Sequence, residues 1–342
     1  MKKVLFVLSL VIFGCSFPIQ LTVGTPTPIP TPSETPAPTQ TPLAPSALSS
    51  PQGELGTEQN PLILALAPSP RPSDETIAAG EVIAAFIQSR TGYHVVTVIP
   101  TSEQMLVESF SKGNAHIGSL SPYGYVLARN NESVTAILAK IHDGKTFYGA
   151  QIIANREHDF TSFFDEARGE NTTDPATALK QFDEKKACWS DEVSPSGYVV
   201  PLGLLKQAQV QIRSGAFLAG QPSVVRAVYV NDICDFGATF VDARTSPALE
   251  ADYGDVMDKV IVIWRIPEII PYENISLSIT LPIEMRRVIQ RAFIDLMLTP
   301  EGKAAMQTVY GMDQMQVVED TAYTEFVTYV QASGLDLLDL IQ

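Results

Sequence analysis

The chain has 342 residues, of which 45% are hydrophobic, and this is enough for two lobes of ordinary size with buried cores. The formal net charge is −15 and no basic patch is evident, so nucleic acid is not expected as a partner. The four histidines form no His-x-x-x-His pair, and the Cys-x-x-Cys motif, the Gly-x-Ser-x-Gly motif and a complete Gly-x-x-x-x-Gly-Lys-Ser/Thr phosphate-binding loop are absent from the sequence. We therefore expect no metal site, no cofactor and no catalytic residue.

The N-terminus has the pattern of a secretion signal. Lys2 and Lys3 precede an apolar run at 4–13, which is too short to span a bilayer as a mature helix. The run ends in Ile12-Phe-Gly-Cys15, which resembles a bacterial lipobox. We predict a lipoprotein signal peptide at 1–15 with Cys15 as the lipidated residue. The alternative is a plain signal peptide that contains an incidental cysteine.

Residues 16–60 show no apolar periodicity. Ten of the 25 prolines lie between Pro18 and Pro51, interleaved with threonine, and no Lys or Arg occurs between Lys3 and Arg71. Such a segment cannot bury enough apolar surface to fold, and its prolines favour an extended chain. We predict a disordered tether between a lipid anchor and a folded domain.

From residue 61 onward, strand and helix patterns alternate. Apolar runs at 62–67, 94–100 and 115–120 predict strands, and helical patterns lie at 76–88, after Ser102 and after Ser121. Strand-like runs at 147–154 and 260–264 flank a second series, with strands at 186–189, 209–212 and 235–242 and a helix at 224–230. A further strand is predicted near 277–279, and Thr299-Pro300 is a typical helix start. This alternation predicts parallel sheets with helices on both faces.

One motif indicates an anion site. Ser194-Pro-Ser-Gly-Tyr198 stands between the strand at 186–189 and a helical pattern at 202–208. The first N–H groups of a helix lack partners inside it, Ser194 and Ser196 add hydroxyl donors, and Gly197 allows close approach of a ligand. An ordinary helix cap is the alternative interpretation.

Two cysteines remain if Cys15 is lipidated. Cys188 and Cys234 each lie near the start of a predicted core strand, where neighbouring parallel strands begin together. In an oxidising compartment this predicts one disulfide, and two buried free thiols are the alternative.

Several landmarks in order resemble one family, the phosphate, phosphite and phosphonate substrate-binding proteins of ABC importers. They are Gly113-Asn-Ala-His-Ile-Gly118 with Ser121-Pro-Tyr-Gly-Tyr-Val126, then Ser194 to Pro201, then Arg226-Ala-Val228 with Cys234-Asp-Phe-Gly-Ala238, and Trp264 to Pro271. The resemblance implies an α/β, two-lobed type II periplasmic-binding fold with a parallel or mixed sheet in each lobe and two hinge crossings near Ala150 and Ile263. Lobe 1 would comprise 61–152 and 265–342, and lobe 2 would comprise 153–264.

The resemblance also implies a set of ligand-binding residues. The oxyanion would lie at the helix opening formed by Ser194, Ser196, Gly197 and Tyr198, where Pro195 replaces a hydroxyl residue of the family motif. The other implied residues are Tyr125, Ser121, Gln221 in place of a family histidine, Glu103 in place of a tyrosine, and the acids Asp242 and Glu273. Glu103 has a solvent-facing helix acid as its alternative, Asp242 has a strand-end cap, and the role of Tyr123 is left open.

The function that follows is an extracytoplasmic, lipid-anchored, monomeric solute-binding protein that captures a small phosphorus oxyanion and docks on an ABC permease. One alternative is a ligand-sensing domain that signals to a receptor. The other is a surface hydrolase on the same scaffold.

Overall fold

A computed structural model describes residues 53–341. The predicted signal peptide, Cys15 and the tether up to residue 52 lie outside the described residues. Residues 53–60, which we predicted as the end of the tether, form a turn in which the Gly56 N–H donates to the Asn60 carbonyl. The Gly56 carbonyl accepts from the His94 N–H, so this turn is bonded to the folded part of the chain.

The strands of the described residues, in chain order, are β1 (Leu62–Ala65), β2 (Val95–Val98), β3 (Ile117–Leu120), β4 (Val134–Lys140), β5 (Phe147–Asn155), β6 (Phe164–Asp165), β7 (Glu170–Asn171), β8 (Lys186–Trp189), β9 (Arg213–Phe217), β10 (Phe236–Phe240), β11 (Val260–Pro271), β12 (Asn274–Ser278) and β13 (Met315–Val317). The helices are α1 (Asp74–Thr91), α2 (Glu103–Ser111), α3 (Pro122–Asn130), α4 (Pro175–Leu179), α5 (Val200–Gln207), α6 (Gln221–Val230), α7 (Pro247–Glu250), α8 (Val256–Lys259), α9 (Ile283–Leu296), α10 (Pro300–Tyr310), α11 (Thr324–Ser333) and α12 (Leu337–Leu340).

The strands of the described chain form two larger sheets. Sheet 1 has the order β13-β4-β12-β3-β1-β2, and sheet 2 has the order β11-β5-β10-β8-β9. Strands β1, β2 and β3 are parallel, as are β8, β9 and β10, whereas β4, β5, β11, β12 and β13 pair antiparallel. Both sheets are therefore mixed, because β4, β12 and β13 in sheet 1 and β5 and β11 in sheet 2 run against their neighbours.

The long strands β5 and β11 pair with each other along sheet 2 and connect it in sequence to sheet 1. The predicted lobe boundaries, at 152 and 265, fall inside these two strands. Helix α11 belongs to the predicted lobe 1 in sequence but packs on α5, beside sheet 2. The division into lobes at those residues stays a prediction.

The predicted strand at 209–212 is wrong. Gln209 has a left-handed backbone with φ of 57°, and the strand begins at Arg213. Strand β9 lies at the edge of sheet 2 and is mostly exposed, so it lacks the hydrophobic pattern that marks a buried strand.

The predicted disulfide between Cys188 and Cys234 is confirmed. Its Cα atoms are 5.7 Å apart, and it joins β8 to the residues that lead into the neighbouring parallel strand β10. Among residues 53–341, the structure contains no helix with the length and apolar character needed to cross a membrane.

Candidate functional site

The Ser194 motif forms a helix opening, as predicted, and its first turn is π-helical. After β8 ends at Trp189, Ser194 caps this turn, with its Oγ accepting from the Gly197 N–H at 3.0 Å. The N–H of Val199 donates to the Ser194 carbonyl at 3.0 Å, so the internal bonds of the helix begin there. The N–H groups of Ser196 and Tyr198 precede this bond and have no acceptor within the helix. The cap and the anion site are therefore compatible, because the cap uses only the Gly197 donor.

Gly197 is fixed by packing. A Cβ atom at this position would lie 2.0 Å from Ser190 Oγ and 2.9 Å from Gln221 Nε2. The glycine thus allows the turn to approach the start of α6, where Gln221 lies. These contacts give Gly197 a structural role that the motif alone does not reveal.

Gln221 holds the serine cluster together. Its Oε1 accepts from the Phe240 N–H at 3.1 Å, and this bond directs the amide nitrogen toward the turn. Nε2 lies 3.2 Å from Ser194 Oγ, 3.3 Å from Ser190 Oγ and 3.4 Å from Ser196 Oγ. The structure therefore brings Ser194, Ser196 and Gln221 together, with a neutral donor at the position of the family histidine.

Glu103 is the first residue of α2, and its carboxylate lies at the N-terminus of α3. Its Oε1 accepts from the Ser121 N–H at 2.7 Å, while Ser121 Oγ caps α3 by accepting from the Gly124 N–H at 3.1 Å. Burial raises the pKa of Glu103 above its ordinary value, the hydrogen bonds from Ser121 oppose this change, and the nearby charge of Glu273 adds to it. Glu103 is therefore not the solvent-facing helix acid of the alternative interpretation.

Glu273 follows β11 and forms an ion pair with Lys140, at 3.0 Å between Oε2 and Nζ. Its charge acts on both Glu103 and Tyr148. A cavity of about 490 Å³ is lined by Glu103, Ser121 and Pro195, among others. Glu103 thus shares a cavity with the start of the serine turn, and Glu273 lies near enough to Glu103 for its charge to act on it.

Tyr148 is a residue of this region that sequence reasoning missed. It lies on β5, its side chain hydrogen-bonds with that of Ser196, and its ring stacks on Tyr272 with a centroid distance of 5.0 Å. Nothing in the apolar run at 147–154 distinguishes this tyrosine from core residues, so only the sheet register reveals its position.

The assignment of Tyr125 to the ligand is wrong. Its side chain is fully buried, and its hydroxyl donates to Asp320 Oδ1 at 2.7 Å. On the same helix, the Tyr123 hydroxyl instead donates to the Val193 carbonyl at 3.0 Å, and Tyr123 lines the cavity beside Glu103. The tyrosine that faces the Ser194 loop is therefore Tyr123.

Two further predicted residues have other partners. Asp242 accepts from Gln151 Nε2 at 2.8 Å and forms an ion pair with Arg244 at 2.7 Å. Burial alone would raise the pKa of Asp242, but the hydrogen bonds and charge of Arg244 hold it below its ordinary value. The Tyr198 ring packs on Trp189 and Phe217, at 5.3 and 4.8 Å. Asp242 is thus a paired structural acid, and the Tyr198 side chain belongs to an aromatic cluster.

Residues 66–323 match the family described as the periplasmic substrate-binding protein of phosphonate ABC transporters. The chain belongs to this family. The phosphate-import protein PhnD of Mycolicibacterium smegmatis is 27% identical over 192 residues, which are 52% of this chain and 54% of that protein. This member of the phosphonate-binding family therefore spans about half the length of the curated relative it matches.

Solved structures resemble the chain in fold. XAC2383 from Xanthomonas citri, bound to a chloride ion, has a TM-score of 0.53 and 11% identity, and the match covers 80% of this chain and 98% of that one. PhnD1 from Prochlorococcus marinus, in complex with methylphosphonate, has a TM-score of 0.44 and 13% identity, with 82% and 100% covered. The two mixed sheets and the family membership confirm the predicted α/β type II periplasmic-binding fold.

Proposed function

We propose that this chain is the extracytoplasmic solute-binding component of an ABC importer and that it captures a small phosphorus oxyanion. The observation that carries the proposal is the opening at Ser194 to Gly197, where two N–H groups and the serine hydroxyls meet the Gln221 amide. Family membership supports the same role, since the family consists of the periplasmic substrate-binding proteins of phosphonate ABC transporters.

The oxyanion would bind at the Ser196 side of this turn. Helix N-termini attract anions through their unpaired N–H groups and the helix dipole, and donors in a partly buried cleft act more strongly than distant charge. A net charge of −15 is therefore compatible with anion binding. The carboxylates of Glu103 and Glu273 would accept hydrogen bonds from a protonated oxyanion or pair with a cationic substituent.

Binding to the purified full chain tests this function. We expect inorganic phosphate, phosphite, methylphosphonate or 2-aminoethylphosphonate to raise the melting temperature and to give a saturable calorimetric signal. A hydrogen bond to a charged group contributes about 1.5–3 kcal/mol, so Ser196→Ala should weaken binding about tenfold or more.

Ser223→Ala is the matched control, because Ser223 lies on α6 and its exposed hydroxyl donates only to the Ala219 carbonyl. It should bind like the wild type. A folded Ser196→Ala variant with wild-type affinity would remove the oxyanion from this turn.

We also propose an oligomeric state, a membrane attachment and a protein partner for the chain. The chain would be a monomer, attached to the outer face of the membrane by a lipid on Cys15, and would deliver its ligand to a membrane permease. Mass spectrometry of the mature N-terminus tests the anchor, and an unmodified N-terminus would contradict it.

A further inference from the structure

Two tyrosines form a stacked pair where the long strands cross. Tyr148 lies on β5, paired in register with Ile270 of β11, and Tyr272 directly follows β11. Their ring centroids are 5.0 Å apart and their planes are inclined by 27°. Because Tyr148 lies on β5 and Tyr272 comes directly after β11, the pairing of these two strands brings the rings together.

The Tyr148 side chain is directed at the candidate anion site. Strand β5 packs against the π-helical turn, and the Tyr148 side chain hydrogen-bonds with that of Ser196, a buried serine of this turn. The next residue, Gly149, lies against the Ile266 carbonyl so closely that a Cβ atom there would be 2.8 Å from this oxygen. The close strand contact beside Tyr148 limits how far its backbone can shift away from Ser196.

The Tyr148 hydroxyl is a neutral donor. Burial raises its pKa well above the ordinary value, and the neighbouring acids Glu273 and Asp191 raise it further, against the effect of the Ser196 hydrogen bond. The group therefore keeps its proton at neutral pH. A phenol that stays protonated can donate a hydrogen bond to an anion without carrying an opposing charge.

The serine turn lacks one donor at the position next to Ser196. Pro195 has neither a hydroxyl nor an N–H group, so the turn offers fewer donors than its two serines and glycine suggest. On the basis of the proposed function, we propose that the Tyr148 hydroxyl binds the oxyanion directly, beside Ser196, and supplies the donor that Pro195 cannot.

Removal of the hydroxyl group from one tyrosine at a time tests whether Tyr148 binds the oxyanion. Tyr148→Phe keeps the ring and its stacking, and it should weaken the binding of methylphosphonate and inorganic phosphate about tenfold or more in calorimetry. Tyr272→Phe is the matched control, because it removes the hydroxyl of the other stacked ring. It should change affinity by less than about threefold, and both variants should keep the wild-type circular dichroism spectrum.

A double-mutant cycle separates direct binding from the orientation of Ser196. If Tyr148 contacts the ligand, Tyr148→Phe should still weaken binding several-fold in a Ser196→Ala background. No further loss in that background would show that Tyr148 acts only through Ser196, and this would overturn the proposal.

The two proposals fail in different ways. Wild-type protein that binds no phosphorus oxyanion would overturn the proposed function and this role with it. Wild-type protein that binds, with Tyr148→Phe binding equally well, would overturn the role of Tyr148 alone.

Discussion

The carboxylate of Glu103 lies at the N-terminus of α3, where it accepts from the Ser121 N–H. The Ser121 N–H and the dipole of α3 favour the charged form, whereas burial and the charge of Glu273 disfavour it. The raised pKa shows that the unfavourable effects are larger. Since the N-terminus of α3 is already occupied by this carboxylate, the anion in our proposal is directed to the Ser194 turn instead.

The raised pKa of Glu103 predicts a pH-dependent change in stability. A carboxyl whose pKa is raised in the folded state favours folding below the unfolded pKa, and this contribution is lost as the pH rises through the folded pKa. Glu103→Gln should therefore raise the melting temperature at pH 8, by roughly 1–3 °C, and should have little effect at pH 4. Thermal unfolding at several pH values measures the difference.

Glu108→Gln is the control on the same helix. The Glu108 side chain is partly exposed, and Lys112 holds its pKa below the ordinary value, so this substitution should lower the melting temperature slightly or leave it unchanged at pH 8. A lower melting temperature for Glu103→Gln at pH 8 would mean that the hydrogen bonds from Ser121 outweigh burial and repulsion.

At the scale of residues, local motifs were the predictable part of the site. Ser194, Ser196 and Gly197 meet because they share one turn, and the alignment with the family placed Gln221 beside them. Tyr125 was wrong because its hydroxyl partner, Asp320, lies 195 residues away in sequence. The roles of Ser194, Ser196, Gly197 and Gln221 in ligand binding stay predictions.

At the scale of elements, caps were predictable and exposed strands were not. Ser102 and Thr299 cap α2 and α10 as predicted, since a hydroxyl before a helical pattern is a local signal. Strand β9 was misplaced, and β4 was missed although it is largely buried. The pairing of β4 with β12 joins parts of the chain more than 130 residues apart, and no local pattern encodes it.

The packing of α5 on α11 depends on one glycine. A Cβ atom on Gly203 would lie 1.9 Å from the Tyr329 carbonyl oxygen, which belongs to backbone and cannot rotate away. Gly203→Ala should therefore separate the two helices and lower the free energy of unfolding by roughly 1–3 kcal/mol. Denaturant unfolding measures this change.

Gly254→Ala is the matched control, because no atom lies within 4 Å of the Cβ position there. It should leave stability nearly unchanged. Equal stability of the Gly203→Ala variant and the wild type would show that α11 can shift freely on α5.

At the scale of the whole molecule, the two sheets are connected by more than the crossing strands. Helix α11 packs on α5, and the Tyr123 hydroxyl of α3 donates to the Val193 carbonyl in the loop before the serine turn. Family membership made the two-sheet architecture predictable, whereas these cross-contacts depend on residues far apart in sequence.

The crossing strands β5 and β11 predict that ligand binding brings the lobes together. A phosphorus oxyanion bound at Ser196 would contact the predicted lobe 2 there and the predicted lobe 1 at Tyr148 and Glu103. Because it would contact both lobes at once only when they are close together, it should favour the closed form. Small-angle scattering at saturating ligand should then show a radius of gyration smaller by roughly 1–2 Å. An unchanged radius in a sample that binds ligand would indicate a rigid binding protein.

The Tyr123 hydroxyl should stabilise that closed form. Its bond to the Val193 carbonyl joins α3 to the loop beside the serine turn, and a neutral hydrogen bond contributes about 0.5–1.5 kcal/mol. Tyr123→Phe should therefore weaken ligand binding about two- to tenfold and reduce the change in radius at a fixed, subsaturating ligand concentration. Tyr253→Phe, at a ring that packs on Tyr229 in the outer layer of sheet 2, is the control and should change neither quantity. If Tyr123→Phe binds ligand and closes like the wild type, the Tyr123–Val193 bond does not contribute to closure, and the stacked tyrosines and the ligand itself would have to account for it.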